Sequence, residues 1–160
     1  QVIAAVLAAE FHLVAGVVIT PVQLEPPRFK ARQQVGVDLF LDIHGDEEIP
    51  HVFVAGCEGN PGYSSRLQRL ENQFKQLLID SGAEFQTTFG YTPDQFGEAN
   101  TSLACNAVGL EFDCLAFTIE MPFKDHDDNP KPQTGWNGAR SMRLGQDVLS
   151  VAAAMVGHLR

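Results

Sequence analysis

The sequence predicts an α/β fold in which a mixed sheet carries helices on its faces. Two short apolar segments, residues 37–43 and 114–120, predict strands because their length and apolar content are typical of buried strands. Three longer segments, residues 64–81, 100–112 and 137–158, have apolar residues at helical spacing. Strands that alternate with helices along a chain are typical of α/β domains.

The composition is ordinary for a globular protein, and the chain is long enough for one domain with its own core. Of the 160 residues, 44% are hydrophobic and 19% charged, and the net charge is −9. Such a charge argues against nucleic acid and anionic membranes as partners. Cys57, Cys105 and Cys114 form no Cys-x-x-Cys pair, so we expect buried thiols in a reducing, cytoplasmic setting. The oligomeric state is left open.

Residues 2–19 are strongly apolar, with Glu10 and His12 near the middle. A transmembrane helix of about 20 apolar residues is one alternative, but Glu10 would be costly there. A signal peptide is a second, but it needs a basic start, and the first basic residue is Arg28. A buried helix or strand pair in the core is the interpretation we favour.

Residues 20–34 contain three prolines and a small basic cluster, a composition that predicts a linker. We therefore divide the chain into an atypical segment with its linker at 1–34 and a domain at 35–160.

The first predicted strand of the domain leads into a histidine. His44 follows the apolar run and is itself followed by Gly45 and three carboxylates, at residues 46–48. Open α/β sheets place their sites at the carboxyl ends of strands. Two interpretations are open: His44 binds a ligand, or it packs at the strand end and bonds to a backbone carbonyl. Asp42, two residues earlier on the same strand face, is a candidate acceptor for the imidazole, and Asp46 is the alternative.

The second predicted strand also ends in an ionisable residue, Glu120, and Pro122 stops the ladder just beyond it. If both strand ends meet at one crevice, a histidine and a glutamate there suit a metal ligand and a general base. The alternative is a solvated strand terminus.

Several other polar residues are assigned to structure or to solvent. The acidic loop at 45–50 lacks the ligand spacing of a calcium loop. His51, on a predicted strand at 51–56, is expected at an edge or surface. If that strand and the His44 strand are neighbours, the loop at 57–65 lies near the His44 end of the sheet and could help to wall the crevice. Solvent-facing positions are predicted for Glu71 on the first helix, for the Asp-His-Asp-Asp run at 125–128 and for Arg140 on the last helix.

Three longer stretches carry a family resemblance. Asp-Ile-His-Gly-Asp-Glu at 42–47, Ala-Gly-Cys-Glu-Gly-Asn-Pro-Gly-Tyr at 55–63 and Thr-Ile-Glu-Met-Pro-Phe-Lys-Asp at 118–125 resemble the zinc metallocarboxypeptidases, in particular their bacterial cytosolic-carboxypeptidase-like branch. The resemblance covers residues 34 to 157, the C-terminal part of the family's catalytic domain. It implies a truncated version of the zinc carboxypeptidase fold.

The resemblance also implies an activity: the zinc-dependent removal of C-terminal residues, including glutamate-type tails, from peptides or proteins. By position, His44 matches the last zinc ligand and Glu120 the general base and acid. Tyr91 is a candidate for the tyrosine that caps the substrate in this family. Carboxypeptidase A is the known example of a His, His, Glu zinc site with water in the fourth position.

The chain departs from the family upstream of His44. The family's His-x-x-Glu motif is not found there, because His12 is followed three residues later by Ala15. We therefore expect weak or no zinc binding and no carboxypeptidase activity from this chain by itself. The alternative function is that of a non-catalytic remnant or pseudo-enzyme that binds a peptide or a partner chain.

Overall fold

The computed structural model describes residues 4–8, 36–82 and 84–159, and of residues 4–8 only the backbone. Most of the apolar segment and the whole linker predicted at 1–34 therefore lie outside the described residues, as do Glu10 and His12. Residues 4–8 form a strand, β1, which agrees with the strand alternative for the start of that segment.

The described strands form one mixed sheet, as predicted. β1 is Ala4–Ala8, β2 is Leu39–Asp46, β3 is Phe53–Ala55 and β4 is Leu115–Pro122, in the spatial order β1-β2-β4-β3. β2 pairs parallel with both β1 and β4, whereas β3 pairs antiparallel with β4. The two central strands thus have the same direction, and their carboxyl ends lie at the same edge of the sheet.

Both central strands extend two residues beyond the predicted site residues. Parallel pairing continues through His44↔Glu120 and Gly45↔Met121 to Asp46↔Pro122. The ladder ends there because proline has no N–H to donate. His44 and Glu120 consequently lie inside paired strands near their carboxyl ends, where the backbone fixes them.

Three helices complete the described domain: α1 at Ser65–Asp80, α2 at Ala104–Phe112 and α3 at Gly138–Met155. The Ser64 hydroxyl accepts a hydrogen bond from the N–H of Leu67, and the Asn137 side chain accepts from the N–H groups of Ala139 and Arg140. These caps confirm the predicted starts of α1 and α3. The predicted helix at 100–112 starts at Ala104 instead, because Asn100 accepts a turn hydrogen bond from the N–H of Leu103.

The sheet separates two apolar layers. On one face α1 and α3 pack against residues of odd number in the central strands, including Leu41, Phe117 and Ile119. On the other face the smaller helix α2 packs against residues of even number, including Phe40 and Ala116. All three cysteines are free and buried, as predicted, and belong to this second layer.

The predicted strand at 51–56 is shorter, and residues 85–91 form no strand of their own. A single bridge pairs Val52 with Phe85, and the segment after it lies on the surface. Within the described residues, no helix is long and apolar enough to cross a membrane.

The solvent-facing position predicted for Glu71 is wrong. Its side chain is buried beside the half-buried Glu58, accepts a hydrogen bond from the Tyr63 hydroxyl at 2.6 Å and pairs with Lys75. Burial and the Glu58 carboxyl raise the pKa of Glu71 to about 7. Glu71 lies one turn after Leu67 and before Phe74, so it continues the buried stripe of α1.

Candidate active site

His44 and Glu120 lie side by side at the carboxyl edge of the sheet. They are paired residues in the parallel register of β2 and β4, so their side chains project from the same face. Nearer the amino ends of the two strands, α2 covers this face and packs against Phe40 and Ala116. Because α2 covers the earlier part of both strands, His44 and Glu120 occupy the uncovered end of that face.

Asp42 holds the imidazole of His44. The Nε2 atom of His44 lies 2.9 Å from Oδ1 of Asp42, two residues earlier on the same face of β2. Burial raises the pKa of Asp42, and the neighbouring His44 offsets part of that rise. Because the bond to Asp42 uses Nε2, Nδ1 is the nitrogen that would bind a metal. A carboxylate that orients a metal-binding imidazole in this way is common in metal sites. With its side chain 40% exposed, His44 is also open to a ligand.

Glu120 is buried, although it is ionisable. Only 5% of the residue is exposed, and among the described residues its Oε2 atom has no hydrogen-bond partner. Burial raises the pKa of Glu120 and outweighs the opposite effect of His44. A carboxylate whose pKa is raised by burial binds a proton more readily, which suits a group that accepts a proton and returns it within one reaction.

Tyr91 reaches both carboxylates at this edge of the sheet. Its hydroxyl lies 2.5 Å from Oδ2 of Asp46 and 3.3 Å from Oε1 of Glu120. Burial and these two carboxylates raise the pKa of the Tyr91 phenol above its usual range, so the phenol is a hydrogen-bond donor at neutral pH. The structure thus places this sequence candidate directly beside the proposed base.

Asp46 contacts Tyr91 and the loop that follows β2. Its Oδ1 accepts hydrogen bonds from the backbone N–H groups of Glu48 and Ile49, at 2.8 and 2.6 Å. Burial acts to raise the pKa of Asp46, but the bonds from Ile49, Tyr91 and Glu48 outweigh it and lower the pKa. Of the two candidate acceptors for His44, Asp42 is therefore the one in contact, and Asp46 stays ionised as the anchor for Tyr91.

The loop at 57–65 does not wall this site, contrary to expectation. β3 runs antiparallel to β4, so the chain that leaves β3 returns to the opposite edge of the sheet. There Cys57 contacts the backbone carbonyl groups of Cys105 and Ala116, and Asn60 donates a hydrogen bond to that of Asn106. The reversed strand direction carries the loop away from His44.

Two further histidines are buried, although a surface position and a solvated loop were predicted for them. His51 is 6% exposed and His126 only 1%. Ligand-capable atoms of His51, His126 and Asp128 lie within 4.8 Å of one another, so by distance this cluster could hold a metal ion. The Asp-His-Asp-Asp run was the sequence signal for it. What the run alone cannot show is that residues far away in the chain enclose His126.

Arg140 also faces protein groups instead of solvent. Its guanidinium pairs with Glu84 and Asp125 and lies 4.7 Å from the centre of the Trp136 ring. It thereby links the start of α3 to the loops at 84–91 and 124–135.

Comparison with solved structures relates this geometry to known proteins. A metallo-carboxypeptidase from Pseudomonas aeruginosa, in complex with (2-guanidinoethylmercapto)succinic acid, superposes with a TM-score of 0.79 and 65% sequence identity. The match covers 83% of this chain and 35% of that one. A metallo-carboxypeptidase from Burkholderia cenocepacia superposes with a TM-score of 0.75 at 38% identity, covering 81% of this chain and 34% of the other.

This chain matches part of a metallo-carboxypeptidase domain. It spans about a third of the length of the proteins that it matches. An uncharacterised protein of Zymomonas mobilis is 42% identical over 126 residues, which is 79% of this chain and 33% of that protein. No protein-family model matches the sequence.

Proposed function

We propose that the chain supplies one zinc ligand and the general base of a zinc metallo-carboxypeptidase, which removes C-terminal residues from peptides or proteins. The observation that carries the proposal is the pairing of His44 and Glu120. An oriented imidazole and a buried carboxylate oxygen without a partner among the described residues lie next to each other. Solved metallo-carboxypeptidases match the chain around them.

The residues present fit a zinc ion, although the described ones offer only part of a complete ligand set. His44 would bind it through Nδ1, with Asp42 orienting the ring. Zinc, when bound, supplies Lewis-acid chemistry that polarises a carbonyl group. Because zinc sites generally use three or four protein ligands, the remaining ligands would come from outside the described residues.

Glu120 would carry the proton. Its unpartnered Oε2 takes a proton from the attacking water and transfers it to the leaving amine, as general base and then general acid. The hydroxyl of Tyr91 donates to the other oxygen, Oε1, and so directs the free oxygen toward the reaction. Tyr91 itself is half exposed, and we propose that it covers the end of a bound peptide.

The proposed preference for glutamate-type tails rests on the resemblance to the cytosolic branch. Asp46 is ionised beside Glu120, and the exposed carboxylates of Glu47 and Glu48 follow it. These charges oppose an acidic substrate side chain at short range, so cationic groups outside the described residues would have to attract it. The test is the rate at which a complete enzyme that contains this chain hydrolyses peptides ending in Glu, Arg and Leu. Faster release of Arg than of Glu would reject the proposed preference. We further propose a reducing, cytoplasmic setting, which suits the three free cysteines.

A non-catalytic function is the second candidate, and the single imidazole ligand that the described residues offer at this edge favours it. In that case the chain binds a peptide or partner chain without hydrolysing it.

A chimera tests the proposal. Residues 36–159 replace the matching segment of the Pseudomonas aeruginosa metallo-carboxypeptidase, with which this chain shares 65% identity. We expect the chimera to release C-terminal residues and the Glu120→Gln chimera to be slower by about 10²–10⁴-fold, because an amide cannot accept the proton. A folded, metal-loaded chimera without activity would support the non-catalytic candidate, and full activity in Glu120→Gln would assign the base elsewhere.

A further inference from the structure

The segment that carries Tyr91 has little burial to hold it. Residues 87–98 are exposed, and the Tyr91 side chain itself is about half exposed. The hydroxyl nevertheless lies within hydrogen-bond distance of both Asp46 and Glu120. These two hydrogen bonds hold only the hydroxyl, so contacts elsewhere in the segment help to fix the position of the Tyr91 ring.

Besides the hydrogen bonds between the Gln86 side chain and the backbone of Phe89, a stack between two rings holds this segment. The Phe89 ring lies parallel to the buried His51 ring, with centroids 4.4 Å apart and an interplanar angle of 6°. Two residues further on, the ring of Tyr91 meets that of Phe53 edge to face, with centroids 4.9 Å apart. His51 and Phe53 are both buried, so the Phe89 stack anchors the segment next to Tyr91.

Asp128 in turn fixes the His51 ring. Its Oδ2 lies 3.1 Å from Nδ1 of His51, and its backbone N–H donates to Nδ1 of His126 at 3.1 Å. The Nε2–H of His126 donates to the backbone carbonyl of Glu84 at 2.8 Å. These bonds connect the loop at 125–129 to His51 and to Glu84, which precedes the surface segment.

The same bonds argue against a metal in this cluster, despite the short distances between its ligand atoms. Both ring nitrogens of His126 are already engaged, one as acceptor and one as donor. A metal ion would have to displace the Asp128 N–H or the Glu84 carbonyl, which would leave a buried polar group without its partner. The cluster is thus better suited to holding a ring than to holding an ion.

We propose that His51, Asp128 and Phe89 form a brace that positions Tyr91 over Glu120. In this brace Asp128 orients His51, the His51 ring supports Phe89, and Phe89 sets the place of Tyr91. The three are positioning residues, because none of them contacts Glu120 in the bonds described. The catalytic meaning of the brace rests on the proposed function, whereas its effect on Tyr91 does not.

Nuclear magnetic resonance of isotope-labelled tyrosine in the 160-residue chain tests the brace. The chain has two tyrosines, Tyr63 and Tyr91, so substituting each by Phe assigns both signals. The Phe53 ring shifts the ring signals of Tyr91, whereas Tyr63 is bonded to Glu71 at the opposite edge of the sheet. Phe89→Ala and Asp128→Asn remove the two exposed members of the brace and leave the buried histidines in place.

We expect Phe89→Ala and Asp128→Asn to move the Tyr91 signals most of the way toward those of free tyrosine, with the Tyr63 signals unchanged. Phe89→Trp, which keeps a flat ring for stacking, should retain the original Tyr91 signals. The matched controls are Phe96→Ala, at a more exposed phenylalanine, and Asp127→Asn, the same charge change one residue earlier; neither should move Tyr91. Unchanged Tyr91 signals in both brace variants would overturn the proposal, as would equal shifts in Tyr63.

Kinetics in the chimera separate the brace from the proposed function. Phe89→Ala and Tyr91→Phe should lower kcat/KM by similar factors, and the double variant should be no slower than Tyr91→Phe. If the two reductions in kcat/KM instead multiply in the double variant, the two residues act independently, which would contradict the brace. If the chimera hydrolyses no peptide, the proposed function fails, and the tyrosine signals still decide whether the brace exists.

Discussion

Replacing the buried Glu71 by Gln should change how the stability of the chain depends on pH. Burial is the largest cause of the raised pKa of Glu71, and the neighbouring carboxyl of Glu58 adds to it, while Lys75 offsets part of the rise. The pKa of Glu71 rises from 4.5 to about 7. Because one pKa unit corresponds to about 1.4 kcal/mol, the shift is worth at most about 3 kcal/mol of unfolding free energy.

The direction follows from which state loses its proton first. In the unfolded chain Glu71 ionises near pH 4.5, whereas in the folded chain it stays protonated until about pH 7. Its contribution to stability is therefore complete below pH 4.5 and is lost as the pH rises to about 7. Glu58 has a lowered pKa and contributes with the opposite sign, so the informative quantity is the difference between variants.

Urea unfolding at several pH values between 4.5 and 7 measures the effect. Relative to the unchanged chain, Glu71→Gln should gain stability as the pH rises, by up to about 3 kcal/mol across the interval. Gln keeps an oxygen for the Tyr63 hydroxyl but cannot ionise. Glu98→Gln, in an exposed loop, is the matched control and should show no such trend. Parallel stability curves for Glu71→Gln and the unchanged chain would refute the reasoning.

Two further predictions concern the core and the isolated chain. Phe117→Ala should lower the unfolding free energy by about 3–5 kcal/mol. The reason is that Phe117 is fully buried at the centre of the sheet and packs on Phe74 with ring centroids 4.8 Å apart. A loss below about 1 kcal/mol in urea unfolding would contradict this packing. The purified 160-residue chain should release no C-terminal residues and should retain little zinc after dialysis, because the described residues offer one imidazole ligand at the strand ends. Zinc-dependent hydrolysis by the chain itself would contradict this and would show that residues outside the described ones complete the site.

The placement of His44 and Glu120 near the carboxyl ends of two strands was predictable because it depends on local patterns. Each follows an apolar run at the carboxyl end of a strand, and parallel strands bring such ends to one edge. The contact between Asp42 and His44 followed from the two-residue period of a strand in the same way. The resemblance supplied what these patterns cannot, namely the family in which such a pair occurs.

The direction of β3 was not predictable. The sequence of a three-residue strand does not indicate whether the strand pairs parallel or antiparallel with its neighbour. The antiparallel pairing of β3 with β4 directs the loop at 57–65 to the opposite edge of the sheet. The burial of His126 was hidden for a related reason. Its partner, the carbonyl of Glu84, lies 42 residues earlier in the chain, and no local pattern shows a contact across that separation.

Glu71 is a different case, since its place in the stripe of Leu67, Phe74 and Leu78 was visible in the sequence. Its charge suggested solvent, and the partners that make burial tolerable, Tyr63 and Lys75, appear only once the helix and the preceding loop are assembled.

Zinc content tests the pairing of His44 and Glu120 most directly. The chimera is dialysed and its zinc measured by mass spectrometry in three variants: His44→Ala, Glu120→Gln and, as a control histidine exposed near the end of α3, His158→Ala. We predict that His44→Ala loses both zinc and turnover, that Glu120→Gln keeps zinc and loses turnover, and that His158→Ala keeps both. Full zinc retention by His44→Ala, with turnover unchanged, would contradict the assignment of His44 as a ligand.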